Sequence, residues 1–312
     1  MLSLTDFLEK QILVIFAEEI KSNHVRFGND NIIFEKDGEI INQLSCYKVL
    51  SLFIIGDFTL TTPLIKKCRK FGISISLLGN NFECYASILC KSDANYLLRQ
   101  KQYSSTNDFI NAKSLVKNKI YNQSAMAKDY GKDLGLIEPV FDKINNCENE
   151  KELLGIEGSI SKQYFENMFK ELSWYKRMPR TKVDELNVLL DLGYTFLFNF
   201  IGSLLSLYGF DLYRGFYHKL YFQRKSLACD IMEPFRVLID KQIIKSFNLN
   251  QFALKDFRHE NGRYYLPFDK QRKYVQVFLE CLIDREEDIF QYVKEYYRHV
   301  AKNTEFPEFK IK

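Results

Sequence analysis

The order of apolar and polar residues divides this chain into a strand-rich first part and a helical remainder. Asp37-Gly38 lies between two apolar runs, an arrangement typical of a β-hairpin. Residues 51–56 and 73–78 are further apolar, β-branched runs bounded by glycines. The pattern therefore predicts that residues 1–92 form a small β-sandwich-like domain.

One short helix is predicted between these two runs. In the segment TTPLIKKCRKFG, Thr62 can cap the helix, Pro63 suits the first helical position, and Gly72 suits the C-terminal stop. The turn Gly79-Asn80-Asn81 then precedes another apolar run, FECYASI. The N-terminal region is thus expected to be mostly β, with one helix.

From about Asp93 the apolar residues follow a helical period. Phe109, Ala112 and Leu115 fall at steps of three, and Ile156 to Leu172 continue in steps of four. Further apolar stripes occupy residues 186–197, 227–238 and 284–302, and only the short run RYYLPF resembles a strand. The predicted fold class is therefore α+β, with a larger all-α domain at residues 93–312 following the N-terminal β domain.

One apolar stretch allows two interpretations. Residues 192–210 contain no charged residue, and this length approaches that of a membrane span. The same stretch contains three glycines, Asn199 and two serines, which favours a buried core helix. The N-terminus has no basic signal-peptide region, and the seven cysteines form no CxxC pair, as expected of free thiols. A cytoplasmic protein without a membrane span is expected.

Charge varies along the chain more than its net value of +4 suggests. Residues 93–132 carry a net charge of +4, residues 133–173 carry −5, and residues 174–245 carry +4. Two basic segments around an acidic one suit a site shared by phosphates and metal ligands, although solvated helix faces produce the same pattern. No GxGxxG, GxxxxGK[ST] or GxSxG motif is present.

Glu157 is the first candidate for chemistry. It lies beside an apolar stripe between Gly155 and Gly158, and two helical glycines are costly unless something approaches closely. Tyr164, seven residues on, shares its helical face. The alternative is a glutamate at the solvent edge.

His218, Asp230 and Glu233 are the other candidates. His218 follows an aromatic pair, so it is either a ligand or a packing residue. Asp230 and Glu233 are three residues apart within an apolar segment, which places both carboxylates on one helical face and calls for a cation. The alternative is that Glu233 pairs with Arg236.

Carboxylates with one imidazole form a ligand set that suits Mn²⁺ or Mg²⁺ better than zinc. Such an ion can polarise a phosphodiester. Several basic residues nearby could hold phosphates: Lys162, Lys176, Arg177, Arg180, Lys219, Arg224 and Lys225.

Four segments, in this order, resemble the CRISPR-associated integrase family, the larger subunit of the spacer-acquisition machinery. They are RQKQY with AKSLVKNKIYNQ; LLGIEGSISKQYF; DELNVLLDLGYTFL, which contains Asp184 and Asn187, with GFDLYRGFYH; and SLACDIMEPFR. Together they span residues 95–240. This chain departs from the family at Lys162, where arginine is common, at Arg214, which interrupts an apolar pair, and in the twelve residues from His218 to Asp230.

The resemblance implies roles for these residues. Glu157, His218 and Glu233 fall on the positions that bind the catalytic Mg²⁺ or Mn²⁺, and Asp230 falls on the neighbouring acidic catalytic position. The expected DNA contacts are Lys162, Tyr164, Arg177, Arg180, Asn187 and Arg224. Because a ligating imidazole must be neutral, activity is expected to fall at acid pH.

The resemblance also implies a reaction and partners. The 3′-hydroxyl of a spacer precursor would attack the CRISPR repeat by transesterification, and water would replace it in DNA cleavage. The expected partners are DNA, a second copy of the chain bound through the β domain, and a small ferredoxin-like subunit. Two alternatives remain: a non-catalytic DNA-binding scaffold, and a transposon-borne integrase of the same fold, which usually carries an extra DNA-binding domain.

Overall fold

In the described residues of its N-terminal part, the computed structural model has two four-stranded sheets and one α-helix. The structure describes residues 11–17, 22–79, 84–88, 95–172, 174, 176–218 and 224–311. The elements of this part are β1 (Gln11–Phe16), β2 (Asn23–Gly28), β3 (Asn31–Lys36), β4 (Glu39–Ser45), β5 (Val49–Ile55), β6 (Thr59–Leu60), α1 (Thr62–Phe71), β7 (Ser74–Leu78) and β8 (Cys84–Ile88).

The two sheets differ in their strand directions. In the first, β1, β5 and β7 run parallel and β8 is antiparallel at the edge. The second has the order β4-β3-β2-β6, with β2, β3 and β4 antiparallel and β6 parallel to β2. Apolar residues from both sheets and from α1 form one buried cluster, which confirms the predicted sandwich-like region.

Most of the predicted turns are confirmed. Asp37 and Gly38 join β3 to β4 with φ angles of 48° and 84°, and Gly72 ends α1 with a φ of 74°. The predicted cap at Thr62 is wrong by one residue, because the extended residue before the helix is Thr61 and its side chain makes no capping bond. The predicted turn at residues 79–81 lies partly outside the described residues.

The C-terminal part contains nine helices in the described chain: α2 (Tyr96–Tyr103), α3 (Asp108–Asp129), α4 (Glu138–Asn146), α5 (Glu150–Phe169), α6 (Glu185–Tyr208), α7 (Ser226–Met232), α8 (Arg236–Asn248), α9 (Phe268–Ile283) and α10 (Glu286–Lys302). The expectation of an all-α domain needs one correction. The strands β9 (Arg258–Glu260) and β10 (Arg263–Tyr265) form an antiparallel hairpin. Strand β10 lies within the strand-like run RYYLPF, whereas the three residues of β9 are all exposed and show no apolar alternation.

Helix α6 contains most of the uncharged stretch, residues 192–210, that allowed a membrane span. Its length and hydropathy suffice for a span, but 78% of its most apolar window is buried inside the fold. Gly193 allows the closest packing, since a Cβ there would lie 2.4 Å from Ile239 and 2.9 Å from Phe278. In this structure α6 is therefore the central helix of the core.

The β region and the helical region share buried contacts. The Phe53 ring on β5 packs edge-on against Phe196 on α6, with ring centroids 5.6 Å apart. A second contact joins the same two elements, since Ser51 Oγ on β5 lies 3.4 Å from Ser203 Oγ on α6. The predicted domain boundary at residues 92 and 93 lies outside the described residues and stays a prediction.

Candidate functional site

Asp230 on α7 organises the loop that carries His218. Its carboxylate is fully buried and accepts hydrogen bonds from the backbone N–H groups of Phe216, Tyr217 and His218 at 2.7, 3.1 and 2.9 Å. Its Oδ1 also lies 2.6 Å from His218 Nδ1. Because an ionised carboxylate only accepts, Nδ1 carries the proton of this hydrogen bond, and in the neutral imidazole Nε2 is then the nitrogen with the free lone pair.

Gly215 makes this arrangement possible. A Cβ at this position would lie 2.7 Å from Asp230 Oδ2 and 2.9 Å from the Ser226 backbone. No side chain fits at those distances, so the loop can wrap the carboxylate only with glycine there. The sequence interpretation did not assign Gly215 a role, and one glycine in an aromatic-rich run does not signal one.

Glu233 lies at the break between α7 and α8, where Pro234 interrupts the helix. Its Oε1 lies 4.0 Å from His218 Nε2 and 3.0 Å from Arg236 Nη2. The alternative pairing with Arg236 is therefore present, and it coexists with the approach to His218. The side chain is only 4% exposed, so its charge needs partners inside the protein.

Lys119 on α3 supplies the second partner. Its ammonium group binds Glu157 Oε1 on α5 and lies 2.8 Å from Glu233 Oε2. This one ammonium group therefore pairs with both carboxylates. Sequence reasoning missed Lys119, because its side chain reaches the site from a helix 38 residues before Glu157.

The pKa values of these groups follow from burial and charge. Burial opposes ionisation of Glu233, but Arg236 and Lys119 outweigh it and lower the pKa of this carboxyl to about 2. Burial likewise opposes the charge of Lys119, whose pKa is nevertheless raised by Glu157 and Glu233. Both groups therefore stay charged near neutral pH.

The site is accessible from the side of His218 and Glu157. Their side chains are 21% and 14% exposed, and Ser161 donates a hydrogen bond of 3.0 Å to Glu157. The expected close approach to Gly155 and Gly158 is not made within the described chain, because a Cβ at either position meets nothing within 4 Å. Among the described residues, none packs against α5 at these two glycines.

Tyr217 adds a neutral hydroxyl near the carboxylates. Its oxygen is buried and has no hydrogen-bond partner in the described chain. Burial, reinforced by the charges of Glu157, Glu233 and Asp230, raises its pKa well above the ordinary range. The hydroxyl therefore keeps its proton and remains available as a donor.

Two of the expected DNA contacts lie inside the protein. Tyr164 is fully buried and donates to Asp240 Oδ2 at 2.9 Å. Asn187, also fully buried, accepts from Arg177 Nη1 at 2.9 Å and from the Met178 backbone at 2.8 Å. Neither side chain is available to DNA in this structure, and both instead join neighbouring elements. Their place in the family motifs did not distinguish these roles.

The basic candidates are placed differently from one another. Arg177 is held by Asp191 at 2.5 Å and by Asn187, so it is committed within the fold. Lys162 is largely exposed, with Glu166 3.8 Å away. Arg180 is exposed, and Arg224 is partly buried beside Cys229. Lys162 and Arg180 therefore remain the most accessible of the predicted phosphate contacts. Lys219 lies outside the described residues.

Sequence comparison identifies the family. The model of the family described as "CRISPR associated protein Cas1" matches residues 20–280. The chain belongs to the Cas1 family. A "CRISPR-associated endonuclease Cas1 1" from Thermodesulfovibrio yellowstonii is 29% identical over 279 residues, covering 83% of this chain and 88% of the relative.

Solved structures agree with this family fold. A Cas1 protein from Thermotoga maritima superposes with a TM-score of 0.84 at 18% identity, covering 96% of this chain and all of that one. A casposase bound to an integration product gives 0.81 at 19% identity, over 96% and 92% of the two chains. A Cas6-RT-Cas1–Cas2 complex gives 0.78 at 22% identity, over 97% of this chain and 36% of the other.

The site residues fit a divalent cation by their chemistry. In the described chain, no three carboxylate, imidazole or thiol groups lie together as a closed ligand cluster, and the Lys119 ammonium pairs with both Glu157 and Glu233. An ammonium group at this point marks where positive charge is favoured. Oε2 of Glu233, which faces the Lys119 ammonium, and Nε2 of His218 are oxygen and nitrogen donors of the kind that Mn²⁺ or Mg²⁺ accepts.

Proposed function

We propose that this Cas1 family member joins the 3′-hydroxyl ends of spacer-precursor DNA to a CRISPR repeat and cleaves DNA by the same chemistry. The observation that carries the proposal is the fixed imidazole of His218, whose Nδ1 is held by Asp230 while Nε2 points toward Glu233. Glu157, His218 and Glu233 would hold the Mg²⁺ or Mn²⁺. Lys119 would then give up at least one of its carboxylate contacts.

The bound ion would supply Lewis-acid polarisation of the scissile phosphate. The chain itself supplies positioning. Asp230 orients the imidazole, and Arg236 and Lys119 keep Glu233 ionised. Exchange of one phosphodiester for another needs no nucleotide energy source, which is consistent with the missing phosphate-binding loop.

DNA is the proposed substrate because it appears with relatives of the same fold. The casposase structure is bound to an integration product, and in this chain the side chains of His218 and Glu157 are partly exposed. Lys162 and Arg180 are the proposed phosphate contacts on this side, with Arg224 less accessible. A small partner subunit is proposed from the complex that contains Cas2. The proposed location is the cytoplasm, where the five free cysteines of the described chain would stay reduced.

A homodimer through the β region is also proposed. Strand β4 is an edge strand, and Ile40 and Ile41 on it are 54% and 52% exposed. An exposed apolar edge strand is a favourable surface for pairing with a second chain. Residues 1–92 carry no net charge, so two copies would not repel each other there.

A strand-transfer assay tests the proposal. A short duplex with 3′-hydroxyl ends and a supercoiled plasmid carrying a repeat are mixed with the protein in Mn²⁺, Mg²⁺ or EDTA, with and without the small partner. Joining should need metal, and His218→Ala should abolish it. His259→Ala serves as the matched control, because His259 lies on the exposed hairpin strand β9. A plasmid that is bound but never joined or nicked would instead support the non-catalytic scaffold.

The similarity to a casposase keeps a transposon-borne integrase as the second candidate. The two functions differ in the target DNA rather than in the chemistry. Replacing the repeat plasmid by one that lacks the repeat separates them. Joining confined to the repeat favours CRISPR adaptation, and equal joining to both plasmids favours the second candidate.

A further inference from the structure

Residues 303–311, which we call the tail segment, follow α10 and are fixed to α3 by two buried asparagines. Asn118 donates to the carbonyl oxygen of Phe309 at 2.6 Å and accepts from its N–H at 3.0 Å. Asn122 donates to the same carbonyl at 2.9 Å and accepts from the N–H of Ile311 at 2.8 Å. The two amides, one helical turn apart, therefore form hydrogen bonds with the backbone N–H and C=O groups of the tail segment, as a neighbouring β-strand would.

This attachment places Phe309 against the turn that carries Glu233. The Phe309 ring is 5% exposed and packs on Phe235 with ring centroids 4.4 Å apart. Asn122 also donates to the carbonyl oxygen of Pro234 at 3.3 Å. One side chain of α3 thus binds both the tail segment and the residue next to Glu233.

The same segment contacts the loop that carries His218. The Phe306 ring packs edge-on against Phe216 with ring centroids 5.6 Å apart, and it also meets Tyr296 on α10 at 6.0 Å. Phe216 lies two residues before His218, and its N–H is one of the donors to Asp230. Phe306 therefore supports the backbone that encloses Asp230.

We propose that the tail segment is a clamp that fixes the His218 loop and the Glu233 turn relative to each other. Phe306 and Phe309 are the positioning residues, one for each half of the site. His218 and Glu233 come from different elements, and 4.0 Å separates Nε2 of the first from Oε1 of the second. The inference rests on the proposed function only because it takes His218 and Glu233 as metal ligands.

The test measures Mn²⁺ binding by calorimetry and thermal unfolding in EDTA, using full-length variants. Loss of a residue that orients a metal ligand typically weakens metal binding about 10–100-fold. We expect Phe309→Ala and Phe306→Ala each to raise the Mn²⁺ dissociation constant about tenfold. Phe309→Leu should restore most of the affinity. Glu308→Ala is the control, because Glu308 is exposed and lies between Phe306 and Phe309 in the sequence. This variant should leave the Mn²⁺ affinity unchanged.

Leu64→Ala separates positioning from general stability. Leu64 is fully buried in the cluster of the β region, away from the site, and its truncation should lower the melting temperature without changing Mn²⁺ affinity. If Phe306→Ala and Phe309→Ala lower only the melting temperature, as Leu64→Ala does, the clamp is refuted.

Hydrogen exchange in EDTA gives the same comparison without metal. Phe309→Ala should speed exchange of the backbone amides around Glu233, Phe306→Ala those around Phe216, and Leu64→Ala neither. If the wild-type protein binds no Mn²⁺, the metal site of the proposed function is wrong, and the exchange result alone decides the clamp: unchanged rates in both variants would overturn it.

Discussion

Among single residues, Lys119 is the one whose replacement should change the charge balance of the site most, because its ammonium group pairs with two of the site carboxylates. Without it, Glu157 loses its cation, and Glu233 keeps only Arg236. Removing one partner of a buried ion pair costs about 3–5 kcal/mol, since the remaining charge stays desolvated.

Lys119→Met should therefore destabilise the metal-free protein by about 3 kcal/mol, which lowers its melting temperature by roughly 5 °C. Saturating Mn²⁺ should recover more stability in this variant than in the wild type, because the ion replaces the missing positive charge. Thermal unfolding in EDTA and in Mn²⁺ measures both. Lys117→Met, whose amine binds Asn145 at the surface of the same helix, should shift neither. An unchanged melting temperature for Lys119→Met in EDTA would contradict the pairing.

Gly215 is the second residue whose identity the structure explains. Gly215→Ala places a Cβ against Asp230 Oδ2 and the Ser226 backbone, so the loop must move away from the carboxylate. We expect Mn²⁺ affinity to fall about tenfold or more, as for other changes that misorient a ligand. Calorimetry measures the affinity. Gly202→Ala is the control, because a Cβ there meets Leu212 and Ala228 only at 3.8 and 3.9 Å. Equal affinity in the two variants would argue against the steric explanation.

Among the elements, α8 is joined to α5 and α6 by one buried carboxyl. Asp240 accepts hydrogen bonds from the hydroxyls of Tyr164 at 2.9 Å and Tyr194 at 2.6 Å. Burial raises its pKa to about 6, although the two hydroxyls and nearby arginines partly offset this effect. The folded state therefore holds the proton more tightly than the unfolded chain does.

The sign of the resulting pH dependence follows from linkage. Between about pH 4 and pH 6 the unfolded chain loses the proton first, so rising pH destabilises the folded state. Relative to Asp240→Asn, which cannot ionise, the free energy of unfolding of the wild type should fall by about 3 kcal/mol across this pH window. Urea unfolding at several pH values measures the difference. Asp142→Asn, at an exposed position, should show no such trend, and a flat difference for Asp240→Asn would exclude a raised pKa.

At the scale of the whole molecule, the β region and the helical region are joined by a common core. Phe53 is fully buried and contacts Phe196 on the central helix α6. Truncation of a buried phenylalanine costs about 3–5 kcal/mol. Because Phe53 contacts both regions, this loss of stability should affect the unfolding of both.

Phe53→Ala should therefore lower the free energy of unfolding by about 3–4 kcal/mol and shift one cooperative transition. The single tryptophan, Trp174, stacks on Phe165 of α5, so its fluorescence reports the helical region, while circular dichroism reports both regions. The two probes should shift together in denaturant. A Trp174 transition that stays at the wild-type midpoint would show that the regions unfold independently.

The fold was largely predictable from the sequence, because its signals are local. The Asp37-Gly38 turn, the Gly72 stop and the stripes of α3, α5 and α6 depend on residues within a few positions of one another. Of the hairpin, the sequence marked only the run RYYLPF, which contains β10, because the three exposed residues of β9 give no period. The candidate ligands came from their motifs, while the structure places the expected DNA contacts Tyr164 and Asn187 inside the fold.

The sequence by itself determined the order of the elements and named Glu157, His218, Asp230 and Glu233 as the residues of interest. Only the tertiary structure decided what surrounds them. Lys119 reaches Glu157 across 38 positions, and Asn118 reaches Phe309 across 191. No local pattern records such pairs, because a buried charge or amide is satisfied by whatever the packed chain brings near it.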